Sequence, residues 1–64
     1  MNKRFAKNLK KEMIEREVSR DELAKETGIS PSSISKYCSG ERKPGWDALM
    51  RIKNALGCDI GELV

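Results

Sequence analysis

Residues 18–40 read VSRDELAKETGISPSSISKYCSG, and the fold turns on how the two halves of this stretch are joined. Ser19 can cap a helix, Glu22 three residues on completes a capping box, and Val18 and Leu23 flank it as a hydrophobic staple. A helix therefore starts at Arg20 and runs to about Thr27, where Gly28 stops it in a left-handed conformation that glycine enters without steric cost. The same grammar then repeats. Ile29, Ser30 and Ile34 take the staple, cap and staple positions, which makes Pro31 the first residue of the next helix. At that position the N–H that proline lacks has no intrahelical partner anyway, and its fixed φ suits the helix start. This second helix spans about 31–38 and ends at Ser39-Gly40.

Working outward, the remaining signals are also helical. Phe5, Leu9 and Met13 recur every four residues, with Ala6 widening the stripe, and predict an amphipathic helix over about 3–16; Ile14 lies off this stripe. GERKPG, residues 40–45, reads as a loop by its Gly and Pro content. Trp46, Leu49, Ile52 and Leu56 have helical spacing, and Gly57 closes that helix, 46–56. Trp46 is expected in the core or packed at the helix start. CDIGEL uses the capping grammar a third time: Asp59 caps, Glu62 closes the box, Cys58 and Leu63 are the staple, and a short helix covers 60–63. No strand signal, internal repeat, low-complexity segment or linker interrupts this. The expectation is an all-α, compact five-helix domain covering residues 1–64.

A chain of 64 residues can bury only a small core, so the helices must pack economically. Charged residues are 36% of the sequence and the formal net charge is +3, a mild excess compatible with an anionic polymer or an ordinary polar surface. No apolar run approaches the roughly 18 residues of a membrane span. The basic start MNKRFAKNLKKE lacks the apolar stretch of a signal peptide, so a cytoplasmic location is expected. Two cysteines, Cys38 and Cys58, without histidine or further cysteine at close spacing make no metal site; they read as reduced thiols in a cytosolic protein, with a single disulfide as the alternative. With no His, no phosphate-cradling Gly loop and no nucleophile–base pair, an enzyme is not expected; Asp21 and Glu22 are accounted for by a helix start. No cofactor is implied.

The turn Gly28-Ile29-Ser30 is so short that the helices on either side must cross steeply and touch. Ala24 is small where the second helix approaches, and Leu23, Ile29, Ile34 and Tyr37 supply the apolar contact. Ser32, Ser33, Ser35 and Lys36 are left over, and most of them must face solvent or a ligand.

In combination, Leu23-Ala24, Gly28, Ile34, Gly40, Pro44 and Ala55-Leu56-Gly57 resemble the phage repressor and Cro-type helix-turn-helix domains, the xenobiotic-response-element family, over about residues 5–63, with the motif at about 20–38. The resemblance implies sequence-specific binding of duplex DNA, a regulatory role of repressor type, and a second motif helix lying in the major groove with its N-terminal side chains at base edges. Carried onto this sequence, base reading falls on Pro31, Ser32, Ser33 and Lys36. Ser32 discriminates poorly among bases, Lys36 can donate to guanine N7 and O6, and Pro31 can only touch a thymine methyl. Ser33 can equally reach back to its own helix start. Glutamine and arginine, common in this region of the family, are missing, which points to modest specificity with a contribution from DNA shape. Phosphate contacts fall on Arg20, at a helix N-terminus where the dipole adds attraction, on Ser39, and on Arg42 and Lys43 of the following loop. Lys3, Arg4, Lys7, Lys10 and Lys11 form a solvated helix face or an auxiliary DNA contact.

Domains of this kind usually bind two-fold symmetric operators as dimers, so a homodimer on DNA is implied, with Ile60, Leu63 and Val64 as the contact and Met50 beside them. Other small members act as antitoxins or adaptors, and a protein-interaction module with secondary DNA binding is the alternative. The resemblance also bears on Met13 and Cys38. Many members carry an arginine and a glutamate there, joined as a buried ion pair; replacing both with apolar groups can be neutral, so Met13 and Cys38 are expected to touch. Glu17 stands where the family prefers Gly or Asn and is expected to strain a left-handed backbone, and Lys53 replaces a small residue and should lay its stem along the core.

Overall fold

The computed structural model describes residues 3–64. The chain forms five helices and, among the described residues, no strand: α1 Lys3–Glu15, α2 Arg20–Thr27, α3 Pro31–Ser39, α4 Trp46–Leu56 and α5 Ile60–Leu63. The expected boundaries hold to within a residue. α1 stops at Glu15 rather than 16, and α3 continues through Ser39.

Local chemistry explains each start and stop. Ser19 Oγ accepts from the Glu22 N–H at 3.1 Å, while the Glu22 carboxylate accepts from the Ser19 N–H at 2.9 Å, so two free donors of α2 are satisfied reciprocally. Ser30 caps α3 by accepting from the Ser33 N–H at 3.2 Å, with Pro31 in the first turn. At α5 the Asp59 N–H donates to Glu62 Oε1 at 2.9 Å. α1 ends differently. Val18 N–H donates to Met13 O at 2.9 Å and Glu17 N–H to Ile14 O at 3.2 Å, the paired bonds of a Schellman motif. Its left-handed residue is Glu17, at φ 55° and the only non-glycine with positive φ among the described residues. The anticipated left-handed backbone is present there.

The motif turn is closed by Thr27. Its hydroxyl donates to Leu23 O at 2.7 Å and accepts from the Ile29 N–H at 3.2 Å, so the turn leaves that donor paired. Arg51 of α4 donates to Thr27 O at 3.4 Å and fastens the end of α2 from outside.

Each helix sends one side chain into the centre with no exposed surface: Leu9, Leu23, Ile34, Ile52 and Leu63. α1 and α2 both pack on α3, α4 packs on α2, and α5 closes the bundle against α1 and α4. Asn8 Nδ2 donates to Leu63 O at 3.1 Å and draws α5 onto α1. Cys38 Sγ lies 3.8 Å from Met13 Sδ, so the expected sulfur contact exists and links α3 to α1. Lys53 is half-buried, in keeping with a stem laid along the core.

Trp46 departs from its expected place. It begins α4 but is 69% exposed, because the apolar stripe of that helix is covered only from Ala48 and Leu49 onward. Ile14, off the α1 stripe, is exposed at the surface. Leu63 was grouped above with the residues free for a dimer contact; the core takes its whole side chain, leaving Ile60 half-buried and Val64 exposed.

Candidate nucleic-acid interface

α3 buries Ile34 and Tyr37 and turns Pro31, Ser32, Lys36 and Ser39 outward. Those four fall at helical spacing on one face, so the outer stripe of the helix is continuous. Ser33 and Ser35 are half-buried at its two edges.

Each edge carries an arginine. Arg20, first residue of α2, donates from Nη1 to Ser35 Oγ at 3.2 Å and from Nε to Asp21 Oδ1 at 3.3 Å. Arg42, in the loop after α3, donates from Nη1 to Ser33 Oγ at 3.3 Å. Lys43 follows, exposed, and Pro44 is buried, which pins the loop beneath them. The structure thus brings Arg20, Lys36 and Arg42 around the outward face of α3.

Two serines are less free than their sequence positions suggest. Ser33 Oγ accepts from the hydroxyl of Ser30 at 3.0 Å and from Arg42, which fills both lone pairs and leaves only its own proton to offer. Ser39 Oγ lies 3.0 Å from Lys36 O and 3.1 Å from Glu41 Oε2, so its proton is committed within the helix end, beside a carboxylate. Ser35, the partner of Arg20, was not singled out as a site residue. Its place one position before Lys36 on the outer stripe is a signal; the pairing with Arg20 needs the crossing angle of the two helices.

Beside α3, α1 and the start of α2 frame an open groove of about 730 Å³, floored by Met13, Ile14, Val18 and Cys38, with Lys10 and Arg20 at its rim. Of the N-terminal cations, Lys10 shares this groove with Ser35, Cys38 and Ser39 of α3. Burial pushes the Cys38 thiol up from the usual thiol range, with nearby Lys10 opposing more weakly. Both cysteines are free thiols.

Behind this face, Glu12, Cys58 and Glu62 bring ligand-type atoms within 4.8 Å of one another. The cation already serving them is Arg16: its Nε pairs with the buried Glu12 carboxylate at 2.8 Å, its Nη1 donates to Gly57 O at 3.5 Å, and its Nη2 lies 4.0 Å from Glu62. The hydrogen bond to Glu12 holds the guanidinium above its ordinary pKa, while burial and then the Glu12 charge push the Cys58 thiol up and keep it protonated. The trio is a structural ion pair between α1 and α5, one that the sequence pattern did not announce.

The family model for Cro/C1-type HTH DNA-binding domains matches residues 8–64, from the second turn of α1 through α5. This chain belongs to that family. As a member it is a helix-turn-helix domain that binds double-stranded DNA, with transcription regulation as the role that membership supports. The family is in general not enzymatic. Comparison with curated proteins and with solved structures finds no match. Among the described residues no helix is long and apolar enough to cross a membrane.

Proposed function

We propose that this domain is a sequence-specific regulator of repressor type, acting in the cytoplasm as a homodimer on a two-fold symmetric operator. α3 enters the major groove; Pro31, Ser32 and Lys36 face base edges, and Arg20 and Lys43 lie toward the phosphates on either side, while Ser39 is engaged with Lys36 O and Glu41. The observation that carries this reading is the continuous outer stripe of α3 flanked by Arg20 and Arg42, each held to a serine of that helix. Lys36 is the one cation on the helix itself and can donate to the guanine acceptors. Small side chains at 31–33 and 35 let the helix backbone sit deep in the groove. Ile60 and Val64 are the apolar groups at the α5 end left to meet a second copy.

The test is selection of binding sites from random duplex DNA at two salt concentrations. Two-fold symmetric sites with half-sites about one helical turn apart are expected. If ~4–6 phosphates are neutralised per domain, log affinity should fall with log salt at a slope of roughly −4 to −5. Binding without enrichment, abolished by salt, would favour the antitoxin-like or adaptor reading, for which exposed Ile14 beside the apolar groove is the natural contact.

A further inference from the structure

We propose that Arg42, although it lies in a loop, reads a guanine in the operator, and that Ser33 is the residue that positions it to do so. The inference rests on α3 being the major-groove helix and deepens that reading by assigning its principal discriminating contact.

The residues of α3, PSSISKYCS, include no arginine, asparagine or glutamine, the side chains that read bases in two-point fashion. Arg42 supplies the missing fork from outside. Its Nη1 donates to Ser33 Oγ at 3.3 Å, and Ser33 is the third residue of α3, at the end of the helix that approaches base edges. A guanidinium has five N–H donors, so one bond to Ser33 leaves four, enough for a planar pair directed at guanine O6 and N7. Ser33 itself cannot do this. Its lone pairs are filled by Ser30 and Arg42, and a single hydroxyl proton cannot tell one purine from another.

Arg20 makes the contrast. It is tied by Nη1 to Ser35 and by Nε to Asp21, whose carboxylate offsets its charge, so both its reach and its free donors are reduced. Among the described residues no carboxylate pairs with Arg42. The Ser30–Ser33–Arg42 chain of hydroxyls and guanidinium therefore fixes one uncompensated, pre-oriented arginine over the N-terminal turn of α3, which lowers the ordering cost of its contact on binding.

The experiment takes the site enriched by the unaltered chain and measures affinity for every single base-pair substitution in one half-site. It is run with the unaltered chain, Arg42→Lys and Ser33→Ala. Lysine keeps the charge and loses the planar fork. Ser33→Ala keeps the main-chain N–H that Ser30 caps, so the helix start survives. For the unaltered chain, changing one G·C pair should cost on the order of tenfold or more. Arg42→Lys should erase that preference at that pair alone, and Ser33→Ala should weaken it at the same pair, with the rest of the profile and the salt slope unchanged. An Arg42→Lys profile that keeps every preference, or that weakens evenly at all positions, overturns the guanine contact. Loss with Arg42→Lys but none with Ser33→Ala overturns the positioning role. An unaltered chain without any base preference fails at the earlier step and removes the major-groove reading itself.

Discussion

Cys38 Sγ packs 3.8 Å from Met13 Sδ, a sulfur contact between α3 and α1 at the two positions where the family resemblance implies an arginine–glutamate pair. The contact is half-buried and uncharged, so α3 is held to α1 there by dispersion rather than by an ion pair.

Restoring only one charge should hurt. Met13→Arg or Cys38→Glu alone places an unpaired charge at a half-buried site, and a loss of about 1–3 kcal/mol is expected after discounting for solvent. The double variant should recover most of it. Urea denaturation of the four chains reads this directly; additive losses in the double variant would show that the two positions do not face each other.

Glu17 carries a left-handed backbone at φ 55° with its side chain exposed. A left-handed conformation costs a side chain roughly 1–2 kcal/mol, and glycine returns part of that gain through its freer unfolded chain. Glu17→Gly should therefore stabilise by about 0.5–1 kcal/mol and raise the melting temperature. An unchanged or lower midpoint would mean that the turn relaxes without strain.

Hydrogen bonds from Ser19, its main-chain N–H first, hold the Glu22 carboxyl below the usual carboxylate range. A folded pKa below the unfolded one gives stability that is present above the unfolded pKa and fades as pH falls through the folded one. Acidification should thus loosen α2, and Glu22→Gln should flatten that part of the pH–stability curve. The two thiols work at the other end. Their raised folded values mean stability that is full below the ordinary thiol range and declines as pH rises past it. A Cys38→Ser, Cys58→Ser chain should lose this alkaline limb in a thermal melt series.

Removing Arg16 leaves Glu12 charged and almost fully buried. Arg16→Ala should lower stability, because the buried Glu12 carboxylate loses its only salt-bridge partner among the described residues. Glu12→Gln in the same background should restore part of it. No recovery with Glu12→Gln would assign the role of Arg16 to the packing of its stem.

Lys36 and Arg20 should separate by the kind of defect they cause. Lys36→Ala is expected to change base preference at one or two positions, whereas Arg20→Ala should weaken all sites alike and reduce the salt slope by about 1. Titration of selected and scrambled duplexes across salt distinguishes the two patterns.

Helix boundaries were legible because they are written locally. Ser19 with Glu22, Ser30 with Pro31, and the glycines at 28, 40 and 57 carry their instructions within a few residues. The Met13–Cys38 contact could be anticipated because two departures from a familiar pair compensate each other. What was hidden depends on distant packing. The burial of Glu12 requires α5 to fold across α1, and Trp46 is exposed because no element among the described residues covers the start of α4. The serines of α3 looked alike in sequence; only the neighbouring arginines divide them into outward residues and supports.

Leu63 lies in the same buried cluster as Ile34, although α5 is only four residues long. Shaving that single turn would open a hole in the centre of the molecule, in the cluster that also seats Ile34 of α3. On the function proposed above, the aim of α3 would then drift, and target discrimination would erode before the domain lost its helices. Such a variant would still cling to DNA by charge and yet no longer know where to stop.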